Sequence, residues 1–338
     1  MGSKVVVAGA FMVLLISSSL AVAAEVNVYS YRQPFLIKPL FDAFTKETGI
    51  RVNTVYARKG LVQRLKNEGL NSRADLIFTV DIGRLSDAVS AEVTQEVNSD
   101  ILDANIPASY RSNKSHWFGL TSRARVIAAS KERVKEGEIS TYEQLADPKW
   151  KGRICTRSGK HPYMVALTAS MIAHHGEAKA KAWLSGLKAN LARKPQGNDR
   201  AQAKAIKEGQ CDLAVMNHYY MAQMMRDEKQ SAWADAIFLV FPNQSDRGTH
   251  LNVSGMALTK SAPNKAHAIK LMEFLSGDLA QRMYAEENSE YPLKPGVPWS
   301  GLLASWGKFK ADTVALDQVA KYRADAIKMA DEVQYDAN

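Results

Sequence analysis

The chain has 338 residues, of which 46% are hydrophobic, and its formal net charge is +9. This length allows one large or two medium cores, which excludes a small fold that depends on disulfides for its stability. The 44 Lys and Arg residues are spread without a long basic block. That distribution favours a basic soluble surface over a nucleic-acid-binding protein.

The first 24 residues have the three parts of a secretory signal peptide. Lys4 precedes an apolar run over residues 5–16, and small residues follow as far as Ala24. The alternative is an uncleaved anchor helix, but the run is shorter than the roughly 20 residues that a membrane span needs. We therefore expect cleavage after Ala23 or Ala24 and export to the periplasm.

Strand and helix patterns alternate along the rest of the chain. Such alternation predicts an α/β fold with open sheets flanked by helices. The predicted strands are 26–31, 50–56, 74–80, 123–129, 153–156, 211–216, 237–241 and 252–259. The predicted helices are 35–48, 61–65, 165–174, 178–191, 201–207, a pair over 265–286, and the remainder after a proline-containing loop at 292–298.

The absence of a low-complexity linker suggests two lobes joined by crossover strands near residues 119–123 and 242–251. We expect the first lobe to comprise residues 25–121 and 246–300, and the second lobe residues 122–245. Residues 301–338 are expected to form C-terminal helices near the hinge. A small ligand would then lie in the cleft between the lobes, at the carboxyl ends of the strands.

The two cysteines, Cys155 and Cys211, lie in two segments that are predicted to be strands. An exported protein folds in an oxidising compartment, where adjacent strands would allow a disulfide. Two free thiols are the alternative.

Enzyme signatures are scarce. The sequence contains no G-x-S-x-G, H-E-x-x-H or G-x-G-x-x-G motif. A secreted hydrolase that uses His161 or His218 is a distant alternative, because no nucleophile and orienting group accompany either histidine at a convincing spacing. The sequence therefore favours a binding protein over an enzyme.

Three tyrosines follow predicted strands at the edge where a cleft would lie. Tyr219 and Tyr220 come directly after the strand that begins at Cys211, and Tyr163 follows the strand that ends near Cys155. If those strands are neighbours, the three phenols meet. A phenol has a pKa near 10, so only a strong Lewis acid such as Fe³⁺, which prefers anionic oxygen, would hold it ionised at neutral pH.

Two other interpretations of these tyrosines are open. Each ring could simply pack and hydrogen-bond its hydroxyl, as half-buried tyrosines usually do. The three rings could also form a stacking cage for an organic ligand such as a polyamine, thiamine or a phosphate ester.

At these residues the sequence resembles the periplasmic ferric-ion-binding proteins of bacterial ABC importers, a transferrin-like group of class II solute-binding proteins. The resemblance covers nearly all of the mature chain. It is carried by residues 28–32, 41–50, 74–81, 122–127, 150–153, 209–220 and 288–292. It implies a two-lobed periplasmic binding protein fold (type II), acting as a monomer that delivers Fe³⁺ to an inner-membrane ABC permease.

The resemblance also implies the site residues. The family's three iron-binding tyrosines map onto Tyr163, Tyr219 and Tyr220, and its anion-holding arginine maps onto Arg123, with Arg125 as the alternative on the same strand face. A guanidinium suits carbonate, bicarbonate or a similar synergistic anion because it makes paired hydrogen bonds. Many members carry a His-Tyr pair where this chain has Gln33 and Pro34, so an anion or water would complete the shell, with Arg32 or Gln33 as further anion contacts.

Overall fold

The computed structural model describes residues 24–337, so the predicted signal peptide lies, apart from Ala24, outside the described residues. The strands are β1 (Glu25–Ser30), β2 (Arg51–Tyr56), β3 (Leu76–Thr79), β4 (Phe118–Ser130), β5 (Ile154–Cys155), β6 (Leu213–Asn217), β7 (Ile237–Val240), β8 (Leu251–Leu258) and β9 (Tyr291–Pro292). The helices are α1 (Pro34–Thr48), α2 (Leu61–Glu68), α3 (Ile82–Ser90), α4 (Asp100–Asn105), α5 (Pro162–Ala189), α6 (Asp199–Lys207), α7 (Tyr219–Arg226), α8 (Ser231–Asp235), α9 (Lys265–Ser276), α10 (Asp278–Glu287), α11 (Gly301–Ser305), α12 (Leu316–Lys321) and α13 (Arg323–Glu332).

The strands form one mixed sheet in the order β2-β1-β3-β8-β4-β6-β5, with β7 and β9 also paired to β4. β1 is parallel to β2 and β3, whereas β8 runs antiparallel to β3 and β4. Helices cover the sheet, as the alternating sequence pattern predicts, and the α/β fold class is confirmed.

The long strand β4 connects two groups of strands. Its residues 118–124 pair with β8, and its residues 125–130 pair with β6 and β7. Separate apolar clusters lie on the two sides, one containing Phe44 and Phe78 and another containing Trp150 and Trp183. The change of partner at residues 124–125 is what a crossover strand requires, and the lobe boundaries at residues 121/122 and 245/246 stay predictions.

The last segment corrects the expectation of continuous helix. Between α11 and α12 the backbone is irregular, and Ala311 forms a parallel bridge with Thr249, just before β8. The physical reason is that this segment satisfies its backbone groups on the connection into β8 rather than within a helix. α12 then packs against both α3 and α5, and α13 packs against α5.

A disulfide joins Cys155 at the end of β5 to Cys211, two residues before β6, and the sulfur atoms are 2.17 Å apart. The two strands are parallel neighbours, with Cys155 opposite Ala214. The disulfide therefore ties together the two chain segments that lead into Tyr163 and Tyr219. Within residues 24–337, no helix has the length and apolarity to span a bilayer.

Candidate functional site

The candidate site is a cleft of about 680 Å³ at the ends of several strands. On one side it is lined by Tyr31, Tyr56 and Val80, which directly follow or end β1, β2 and β3. The other side is formed by Tyr163, Tyr219 and Tyr220. The position agrees with the rule that open sheets bind ligands outside the carboxyl ends of their strands.

Each of the three tyrosines lies in the first turn of a helix. Tyr163 is the second residue of α5, which follows β5, and Tyr219 is the first residue of α7, which follows β6. The Tyr163 and Tyr219 hydroxyl oxygens are 3.3 Å apart. The ring centroids of Tyr219 and Tyr220 are 4.3 Å apart. The structure thus brings together the three residues that the sequence analysis singled out.

Burial favours the protonated form of two of these phenols, those of Tyr219 and Tyr220. Burial raises the pKa of Tyr219 well above its ordinary value, and the neighbouring Tyr163 and Tyr220 raise it further. Burial, followed by Tyr163, likewise raises the pKa of Tyr220. A weak cation would not displace these protons, whereas a hard trivalent cation in direct contact would.

Arg123 lies beside the tyrosines on the cleft wall. Its Nη1 donates to Ser254 Oγ at 2.8 Å, and its Nη2 donates to the Val80 carbonyl. Its Nε is buried without a hydrogen-bond partner among the described residues. The guanidinium carbon is 6.0 Å from the Tyr163 ring. Arg123 is therefore a fixed cation with an unused donor next to the phenols.

Arg125, the alternative anion contact, has another environment and does not line the cleft. Its Nη1 is 2.5 Å from Asp199 Oδ2 and 3.0 Å from Asn217 Oδ1. Asp199 Oδ1 is also 3.0 Å from Arg157 Nη1. Arg125 is therefore occupied by a buried carboxylate, and of the two arginines only Arg123 faces the cleft.

Arg32 and Gln33 differ in how free they are to meet an anion. Both Arg32 terminal nitrogens are 3.2 Å from the Glu290 carboxylate, and Nη1 also donates to Ser254. Gln33 is exposed at the cleft rim, at the start of α1. Arg32 already has an anionic partner, whereas Gln33 has none of comparable strength.

The cleft is also lined by four arginines that the sequence analysis did not name: Arg58, Arg84, Arg157 and Arg200. The positions of two of them in the sequence could have indicated the cleft, because Arg58 follows β2 and Arg157 lies between Cys155 and Tyr163. Together they make the cleft cationic around the phenols, which favours an anion or an anionic complex over an organic cation.

The histidines next to the tyrosines have structural roles. His218 Nδ1 accepts from the Ala124 N–H at 3.1 Å, and Nε2 lies 2.9 Å from the Ser289 carbonyl oxygen. His161 Nδ1 accepts from the Tyr163 N–H at 3.2 Å. Burial, with Arg157 second, lowers the pKa of His161 to about 3. Neither ring matches the hydrolase alternative, since both are engaged by backbone groups.

Residues 71–302 match the family of bacterial extracellular solute-binding proteins. The chain is 45% identical over 311 residues to iron uptake protein A1 of Synechocystis sp., covering 91% of this chain and 86% of the relative. The apo ferric ion-binding protein A of Pasteurella haemolytica is 53% identical, with a TM-score of 0.89 over 93% of this chain and 99% of the other.

A Trichodesmium protein in complex with iron and citrate is 44% identical, also with a TM-score of 0.89, over 92% of this chain and 100% of the other. These matches cover nearly the whole described chain, and the TM-scores show that the solved structures share its fold. The chain belongs to the bacterial extracellular solute-binding protein family.

Proposed function

We propose that this chain is the periplasmic ferric-iron-binding component of an ABC iron importer. The proposal rests on one observation above all: the phenols of Tyr163, Tyr219 and Tyr220 converge beside Arg123 in one cleft. The names of the relatives, iron uptake protein A1 and ferric ion-binding protein A, support the same cargo.

Iron would bind by replacing phenolic protons. Three phenolates would neutralise the charge of Fe³⁺, and their hard oxygen atoms suit that ion better than sulfur ligands would. Each ligand must lose a proton, so binding releases protons to solvent. Burial in the cleft keeps the phenols of Tyr219 and Tyr220 neutral until the cargo arrives.

A synergistic anion would complete the coordination shell. Arg123 lines the cleft beside the tyrosines, and its guanidinium suits a planar oxyanion such as carbonate, which would accept from it. Gln33 on the facing wall offers an amide that could meet the same anion after the lobes approach about β4 and β8. The relative solved with iron and citrate supports the pairing of metal and anion.

Delivery would follow from the family's role outside the cytoplasm. We propose export by the signal peptide, capture of iron by a monomer, and release to an inner-membrane permease. Acid assists release because protons compete with Fe³⁺ for the phenolates, and reduction assists it because Fe²⁺ holds phenolate less tightly.

An organic anion is the second candidate cargo, favoured by the arginines that line the cleft. A phosphate ester fits this charge, whereas a polyamine or thiamine, being cationic, does not. The charge alone does not separate a phosphate ester from ferric iron with its anion.

The test is the visible spectrum of the protein titrated with ferric iron in the presence of bicarbonate. Tyrosinate bound to Fe³⁺ gives a charge-transfer band, which we expect for the wild type and expect to weaken in Tyr163→Phe, Tyr219→Phe and Tyr220→Phe. Arg58→Gln keeps all three phenols and serves as the control. A colourless wild type that binds phosphate esters would favour the organic cargo.

A further inference from the structure

A clamp formed by Tyr335 and Asp336 holds the loop that leads into Tyr163. Asp336 Oδ1 accepts from the Gly159 N–H at 2.9 Å, and Oδ2 accepts from Ser158 Oγ at 2.7 Å. One residue earlier, the Tyr335 hydroxyl is 2.9 Å from Thr156 Oγ1. Two consecutive residues after α13 thus contact three of the four residues from 156 to 159.

The fit between the clamp and the loop is close. Tyr335 is fully buried, and a Cβ atom on Gly159 would lie 2.7 Å from its Cδ1. Only glycine allows the loop to pass this ring without displacement. Carboxylate bonds to a backbone N–H and a hydroxyl are stronger than neutral ones, so Asp336 adds a directional restraint to the packing restraint of Tyr335.

The loop transmits this restraint to the phenol. The His161 N–H donates to the Ser158 carbonyl at 3.1 Å, and His161 Nδ1 in turn accepts from the Tyr163 N–H. Tyr163 is the second residue of α5, and its hydroxyl reaches Tyr219 at 3.3 Å. The path from Asp336 to the Tyr163 side chain consists of Ser158, His161 and the first turn of α5.

We propose that Tyr335 and Asp336 are positioning residues for iron binding, which they serve by fixing Tyr163 in the geometry of a ligand. The proposal rests on the proposed function. Groups that hold metal ligands in place typically change metal affinity by about 10–100-fold when they are removed. The clamp matters for Tyr163 in particular, because Tyr219 and Tyr220 lie on a different helix, α7, which follows β6.

The experiment is a double-mutant cycle on the full mature protein. Ferric affinity, measured in bicarbonate by competition with nitrilotriacetate, and the charge-transfer band are compared for wild type, Asp336→Ala, Tyr163→Phe and the double variant. We expect Asp336→Ala to lower affinity by roughly ten-fold or more and to shift the band. In the Tyr163→Phe background the same change should alter affinity less than about two-fold, since the clamp acts through Tyr163.

Glu332→Gln is the matched control. It removes an ion pair of α13 with Lys181 on α5 and leaves the loop untouched, so affinity and spectrum should stay at wild-type values. Urea unfolding of the apo forms reports folding. If Asp336→Ala does not fold, Asp336→Asn retains an acceptor for Gly159 and should show a smaller loss in the same cycle.

Two results overturn the proposal on its own: an equal loss of affinity in both backgrounds, or no loss in a folded Asp336→Ala protein with a wild-type band. A wild type without any charge-transfer band removes the proposed function and the clamp's role together. The two failures are thus distinguishable.

Discussion

At the scale of single residues, the site is a group of three tyrosines next to a fixed cation, Arg123. Burial raises the pKa values of Tyr219 and Tyr220, while Arg123 stands close enough to favour ionisation of Tyr219. The apo cleft therefore resists losing protons until a strong Lewis acid arrives. In the proposed function this arrangement would discriminate by charge, because a divalent ion of modest Lewis acidity gains less from each phenolate than Fe³⁺ does.

Ferric affinity should depend steeply on pH. If iron binds as proposed, each tyrosine ligand releases its phenolic proton, so the apparent affinity falls as the pH falls. We expect a loss of more than ten-fold per pH unit between pH 8 and 6, where more than one proton is displaced. Competition titrations at fixed bicarbonate measure the slope. Tyr220→Phe should reduce it by about one proton, and an unchanged slope would contradict ligation by Tyr220.

Arg123 should determine the anion requirement. The substitution Arg123→Gln removes a buried cation that lines the cleft beside the tyrosines, so ferric binding should become insensitive to bicarbonate and weaken by roughly 10–100-fold. The measurement is ferric affinity with and without bicarbonate. Arg200→Gln is the control, because it tests whether the loss of another arginine of the same cleft changes the bicarbonate dependence in the same way. Retained bicarbonate dependence in Arg123→Gln would exclude it as the anion contact.

At the scale of elements, Asp199 connects three parts of the second group of strands. It begins α6, accepts from the Asn217 N–H at 2.9 Å at the end of β6, and pairs with Arg125 and Arg157. Asp199 is fully buried. Arg125 and Arg157 offset the cost of burying its charge, and Arg125, the stronger of the two, helps hold its pKa below the ordinary value. The end of β6, where Tyr219 begins, is fixed by this carboxylate.

Asp199→Asn should destabilise the protein strongly. It leaves two buried arginines without their anion, and breaking one side of a buried ion pair typically costs about 3–5 kcal/mol. Urea unfolding of the apo protein measures the loss. Glu208→Gln removes an exposed partner of Lys204 near the end of the same helix and should change stability by less than about 0.5 kcal/mol. If Asp199→Asn and Glu208→Gln changed the free energy of unfolding by similarly small amounts, the ion pairs of Asp199 would not be what stabilises this region.

Sequence patterns located most elements of the sheet. The predicted strands at 26–31, 50–56, 74–80 and 211–216 overlap β1, β2, β3 and β6, because apolar alternation or short apolar runs mark them. Prediction stopped where long-range contacts decide the structure. β4 begins at Phe118, five residues earlier than predicted, since pairing with β8 extends it. The predicted break between the helices at 165–174 and 178–191 is confirmed, because the backbone at Gly176 is non-helical.

The candidate site could also be predicted only in part from the sequence. Tyr163, Tyr219 and Tyr220 could be grouped because their strands were expected to be neighbours. Nothing local distinguished Arg123 from Arg125, since both point to one face of β4; the partner Asp199 lies 74 residues away. The clamp at Tyr335 and Asp336 was equally inaccessible, because its contacts to Ser158 and Gly159 span more than 170 residues.

At the scale of the whole molecule, two buried histidines lie where the strand groups meet. His218 links Ala124 of β4 to Ser289, which precedes β9. His250 precedes β8, and its carbonyl accepts from the Arg125 N–H at 3.0 Å. Burial lowers the pKa of each to about 4. Both rings are neutral in the folded protein, and protonation of His218 Nδ1 would remove the acceptor for Ala124.

These histidines should make the apo protein sensitive to mild acid. The unfolded chain takes up protons near pH 6.5, whereas the folded chain resists until about pH 4. Their stabilising contribution is therefore complete above pH 6.5 and is lost progressively as the pH falls to 4, by up to about 1.4 kcal/mol per pH unit for each histidine. Urea midpoints between pH 7.5 and 4.5 measure the decline. His250→Gln should flatten it, while His267→Gln, outside this junction, should not. A flat profile for the wild type would mean that both rings take up protons in the folded state as readily as in the unfolded chain, and it would contradict their lowered pKa values.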